Sequence, residues 1–80
     1  MNKLIEAIRL LENGEWEKAH VIVQEDRSAI ASWLHGLVHM IEGDLDNAKY
    51  WYRRAGRDFV EPLSLKNELA AAKDALGDKS

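Results

Sequence analysis

Two imidazoles and a carboxylate, His35, His39 and Glu42, stand at positions i, i+4 and i+7 near the middle of this 80-residue chain. On a helix those positions share one face. Imidazole nitrogens and a carboxylate are donors for zinc and related divalent ions, and His20, from the preceding segment, offers a further ligand. The same residues also suit a structural role. His35 and His39 can hydrogen-bond Asn47, Tyr50 or Tyr52 of the following segment and so order the packing of two helices. This network is the expectation, with no metal and no cofactor. A metal-binding or enzymatic protein built on His35, His39, Glu42 and His20 is the alternative. The His-Glu-x-x-His order of metalloproteases is absent.

Other catalytic chemistry has little to stand on. Ser28, Ser32, Ser64 and Ser80 lack a nucleophile-elbow context, and the chain has no glycine-rich phosphate loop. Asp44 and Asp46 are close in sequence, but a helix N-terminus accounts for both. No enzyme is therefore expected.

The second unusual feature is Tyr50-Trp51-Tyr52, followed by Arg53, Arg54 and Arg57. Successive helical residues point about 100° apart, so three adjacent aromatics cannot share one core. Tyr52 is the core candidate and Trp51 is expected to pack on the last helix. Tyr50 either meets a histidine or stays partly exposed. Tyr, Trp and Arg dominate interface hot spots, so Tyr50, Trp51, Arg53, Arg54 and Arg57 are the candidate contacts for a protein partner.

Charge is unevenly distributed. Residues 1–47 hold nine acids and four bases; residues 48–80 hold five acids and seven bases. Lys49, Arg53 and Arg57 read as one helical stripe, a docking face for an acidic partner or for the acidic half of a second copy. A homodimer is the form expected. A net charge of −3 with so small a basic cluster argues against nucleic acid. No apolar run approaches the length of a membrane span. The N-terminal segment alternates charged and apolar residues, unlike a signal peptide. Without cysteine there is neither a disulfide framework nor a thiolate metal site, and the reading is a cytoplasmic protein.

The elements that must position these residues are helices. Leu4, Ile8 and Leu11 mark a first helix over about 2–13, ended by Gly14. Trp16, Ala19 and Val23 mark a second over about 15–26. Ile30, Trp33, Leu34, Leu37, Val38 and Ile41 give a wide apolar stripe over about 29–42, the central helix, with Ser28 as its N-cap and Gly43 as its stop. Asp44 caps a fourth helix over about 45–57. A fifth starts between 61 and 65, where Pro62 and Ser64 compete for its first turn, and Gly77 ends it. No alternating pattern long enough for a strand occurs. The chain thus reads as a single all-α domain: hairpin 1 over about 2–26, hairpin 2 over about 29–57 and a capping helix over about 62–77.

Gly36, Gly43, Ala48, Tyr52 and Ala55 stand at the spacings of a tetratricopeptide repeat, and hairpin 2 resembles one. Gly14, Trp16 and Ala19 form a weaker copy in hairpin 1, 29 positions earlier by 43 − 14, where the usual interval is about 34. Residues 10–57 also resemble small uncharacterised bacterial proteins that carry an Ala-His-x-x-Val-Gln segment. In those proteins a His-x-x-x-His segment then runs into Glu-Gly-Asp-x-x-Asn-Ala-x-Tyr-Trp-Tyr-Arg-Arg-Ala-Gly. Here these are Ala19 to Gln24, and His35, His39, Glu42 to Asp44, Asn47, Ala48 and Tyr50 to Gly56. The resemblance implies a helical-repeat fold and a bacterial origin, and brings no activity. The functional expectation is a protein–protein interaction or scaffolding module, with a purely self-associating structural protein as a further alternative.

Overall fold

The computed structural model describes residues 2–77. Within them the chain forms five helices and no strand: α1 (Lys3–Glu12), α2 (Trp16–Val23), α3 (Ala29–Glu42), α4 (Leu45–Arg54) and α5 (Leu65–Ala75). The fold is all-α, as the periodicity predicts. Helix α1 pairs with α2, α2 lies on α3 and α3 pairs most extensively with α4. Helix α5 folds back onto α1 and α3.

Side-chain caps set most of the starts. The Asn2 side chain accepts from the Leu4 N–H, Ser28 Oγ from Ala31, Asp44 from Asn47 and Ser64 Oγ from Asn67. Each satisfies one of the orphan donors of a first turn. Ser64 therefore wins the start of α5, and Pro62 stays outside the helix.

Two helices end earlier than their sequence patterns predict. Helix α2 stops at Val23, not near residue 26. The Gln24 N–H still bonds back four residues to His20, but those of Glu25 and Asp26 reach back only three, and Asp26 Oδ1 accepts from the Ser28 N–H at 2.8 Å to turn the chain into α3. Helix α4 stops at Arg54, not near 57. Gly56 takes φ +73°, and the Arg57 N–H returns to the Tyr52 carbonyl at 2.9 Å. This left-handed closure ends the helix and takes Arg57 off its face.

Helix α3 is the centre of the molecule. Every residue from Ala31 to His39 is buried. Leu34, Leu37 and Val38 meet Leu4, Ile8 and Leu11 of α1, Ala19 and Val23 of α2, and Leu69 and Ala72 of α5 in one apolar cluster. On the α4 side the packing is closer. A Cβ built on Gly36 would stand 2.5 Å from Tyr52 Cδ1 and 3.1 Å from the Ala48 carbonyl oxygen. Only glycine at 36 allows α4 this near.

Tyr52 is fully buried on α4, the core position its spacing predicts. Its hydroxyl donates to Glu68 Oε1 at 2.6 Å, and Trp33 Nε1 donates to both Tyr52 Oη and Glu68 Oε1 at 3.1 Å. One carboxylate on α5 thus serves the two buried polar aromatics of α3 and α4. Burial, followed by the neighbouring Glu68 carboxylate, pushes the Tyr52 hydroxyl well above its ordinary pKa. The Arg57 guanidinium lies 3.5 Å from the Trp33 ring centroid and covers the outer face of this network.

Two substitutions test these constraints. Gly36→Ala would ordinarily gain up to about 1 kcal/mol of helix propensity. Here Tyr52 is pinned by two hydrogen bonds, so overpacking should reverse the sign and cost about 1–3 kcal/mol in urea unfolding. Gly43 holds φ +90° with open space around it. Gly43→Ala should cost about 1 kcal/mol through backbone strain alone, with no shift of α4 by NMR.

Candidate functional site

Helices α2 and α3 bring three imidazoles together. His20 comes from α2; His35 and His39 come from successive turns of α3. His20 Nε2 stands 3.0 Å from His35 Nε2, a hydrogen bond in which one ring donates and the other accepts. The His35 and His39 rings stack with centroids 5.0 Å apart. His20 meets both edge-on, at 4.8 and 5.4 Å. A ring nitrogen from each of the three lies within 4.8 Å of the others. His35 and His39 are buried and His20 is half-buried, so solvent reaches the cluster on the His20 side.

Glu42 takes a different place from the one its spacing predicts. Its Oε1 lies 2.6 Å from His39 Nδ1. A carboxylate on Nδ1 fixes the ring and leaves Nε2 to face outward from the bond, the arrangement that commonly supports a metal-bound histidine from behind. Glu42 is thus a partner of a ligand candidate, one step removed from the cluster. Asp44 comes near His39 and Glu42, but its carboxylate accepts from Asn47 Nδ2 at 2.7 Å and caps α4. Those Asn47 contacts hold the Asp44 carboxyl below its usual pKa.

The expected hydrogen bonds from His35 and His39 to Asn47, Tyr50 or Tyr52 do not form. Asn47 is taken by Asp44, Tyr50 by Arg54, and Tyr52 by Trp33 and Glu68. The imidazoles find each other and Glu42 instead. Their link to α4 is aromatic: the His35 ring lies flat on Trp51, with centroids 3.8 Å apart and planes 9° apart. Trp51 is therefore turned to α3, and the expected contact with α5 is replaced by this stack.

The aromatic and basic residues of α4 divide between two surroundings. Tyr50 is 45% exposed and stands edge-on to Trp51. Arg54 Nη1 donates to Tyr50 Oη at 3.2 Å, and its guanidinium lies 5.2 Å from the Trp51 centroid. Arg53 and Lys49 are exposed. Arg57, beyond the helix end, is held on Trp33. The stripe of Lys49, Arg53 and Arg57 expected from spacing is thus broken at its last member. The outer face keeps Lys49, Tyr50, Arg53 and Arg54, with Trp51 half-buried beneath.

Burial sets the electrostatics of the cluster. Desolvation first, then the neighbouring His20 and His39, lowers the His35 pKa from 6.5 to about 4. The ring is therefore neutral at pH 7, the form that donates a lone pair to a cation. His35 can therefore accept a divalent ion at no cost in proton release.

The same shift fixes an acid sensitivity of the ion-free protein. Below pH 6.5 the unfolded chain protonates this histidine, while the folded chain resists until about pH 4. Stability is thus complete above pH 6.5 and falls as pH drops through that window. Discounted for solvent screening of a partly accessible group, the loss should be on the order of 1–2 kcal/mol by pH 4. Urea unfolding of the wild type and of His35→Gln across the window is the check, and the variant should show the shallower decline.

No protein-family model matches this chain, and no curated protein or solved structure matches it.

Proposed function

We propose that this protein binds a divalent transition-metal ion through His20, His35 and His39, with Glu42 orienting His39. The observation that carries the reading is the approach of three imidazoles from two helices in different hairpins, a ring nitrogen of each within 4.8 Å of the others. In a zinc tetrahedron with Zn–N bonds of about 2.0–2.1 Å, neighbouring nitrogens stand about 3.3 Å apart. The His20–His35 separation of 3.0 Å is already close to that. Imidazole donors suit zinc, copper, nickel and cobalt and disfavour magnesium and calcium. A binding role is the reading, without catalysis assigned.

Titration of the metal-free protein with zinc, followed by calorimetry and by competition with a chromophoric chelator, tests it. One ion per chain is expected, with Tm raised on loading. His20→Ala, on the half-buried ligand, should abolish binding while circular dichroism stays helical. Glu42→Gln should weaken binding by about 10- to 100-fold without abolishing it. A wild-type protein that competes for no zinc would overturn the reading.

A second reading, a protein–protein interaction module, rests on a separate observation. Tyr50 is exposed on α4 yet held in place by Arg54, with Lys49 and Arg53 beside it. This is a pre-ordered aromatic and basic face suited to an acidic protein segment, including the acidic hairpin 1 of a second copy. Kinship with tetratricopeptide repeats belongs to this reading, supported by Gly36 at the close approach and Tyr52 in the buried slot. So does a cytoplasmic setting, where a cysteine-free chain is at no disadvantage. Alanine at both Tyr50 and Arg54 should remove such docking and leave zinc binding unchanged, which separates the two readings.

A further inference from the structure

We infer that the ion held by the three imidazoles keeps one coordination position open, and takes there an exogenous oxygen or nitrogen donor, water or a small monoanion. This inference rests on the metal-binding reading above and concerns what completes the ion's coordination. Three observations carry it. Among the described residues, no fourth histidine, aspartate or glutamate joins the group formed by His20, His35 and His39. The two carboxylates nearest that group are already engaged. Glu42 is bonded to His39 Nδ1 at 2.6 Å, and Asp44 accepts from Asn47 as the cap of α4. The third observation is access: His20 is only half-buried, whereas His35 and His39 are buried and the flat face of His35 is covered by Trp51. The cluster thus lies just below the surface, reached past half-buried His20 and past exposed Glu42 beside His39.

The chemistry follows from charge. Three neutral imidazoles leave the full 2+ charge on the ion, so the remaining position favours an anionic or strongly polar donor. Structural zinc sites close with four protein ligands; three protein ligands and one exchangeable donor is the open arrangement, in which bound water loses a proton near pH 7. Glu42 and Asp44 make the His39 side negative. A small anion is therefore favoured on the His20 side, away from these carboxylates.

Cobalt(II) provides the probe, because its visible bands report both coordination number and ligand exchange. Cobalt-loaded wild type should show intense four-coordinate bands that shift on titration with azide. Absence of those bands, with no ion bound, would sink the metal-binding reading itself. Bands that appear but ignore azide in millimolar excess would leave metal binding standing and overturn the open position. Glu42→Gln at saturating cobalt supplies the second arm. Glu42 supports His39, so the variant needs more cobalt to load, and the inference expects its loaded form to show four-coordinate bands that still shift with azide. An azide response seen only in Glu42→Gln would identify Glu42 as the fourth ligand and overturn the inference.

Discussion

Burial of α3 on nearly every side is the constraint from which the rest of the structure follows. An 80-residue chain has little interior to offer, and here nine consecutive residues of one helix occupy it, from Ala31 to His39. A helix enclosed all round cannot hide its polar side chains at a solvated face. Ser32, His35 and His39 are buried with it, and Trp33 brings an indole N–H. Each buried donor or acceptor left unpaired would cost about 1–3 kcal/mol. None of the described residues has such an orphan; the partners come from α2, α4 and α5 and from α3 itself.

Those partners fall into two groups on different sides of α3. On one side Trp33, Tyr52 and Glu68 close a hydrogen-bonded triangle that ties α3, α4 and α5 together. All its members are committed to one another, and Arg57 lies over it. That side reads as a fastener. On the other side the imidazoles satisfy each other through a single shared contact and one carboxylate, with the His20 edge open to solvent. The first group is saturated; the second retains donor capacity. This difference, more than the mere presence of histidines, separates the candidate site from structural polar packing.

Much of the architecture was legible in the residue pattern, and the reasons are local. Ser28 and Gly43 bracket α3 at the bounds read from the sequence, because a hydroxyl cap and a left-handed glycine are short-range signals. Tyr52 was placed in the core by its spacing from Gly36 and Ala48, an instance of helical phase. What escaped was tertiary. Phase gives the direction in which Trp51 points but not whether α3 or α5 waits there. The angle at which α2 crosses α3 brings His20 onto His35, and no spacing within either helix encodes that angle. Glu42 lay on the predicted face, yet its reach to His39 Nδ1 depends on a rotamer. The periodic bases of α4 ran on to Arg57, and the reversal at Gly56 interrupted them. Glu68 carries no spacing signal of its own, although two buried polar aromatics with no acceptor on their own helices imply that α5 supplies one.

The nitrogen-to-nitrogen contact between α2 and α3 also governs protons. Two imidazoles meeting Nε2 to Nε2 share a single hydrogen in the ion-free protein. With none, two lone pairs would face each other; with two, N–H would oppose N–H. The rings must therefore adopt opposite tautomers, and neither can change without the other. The hydrogen carried by one ring thus dictates where the other carries its own. A second hydrogen placed between the two Nε2 atoms would set N–H against N–H and break the contact that joins α2 to α3 here. The tautomer chosen on α2 and the tautomer chosen on α3 are, at this junction, a single choice.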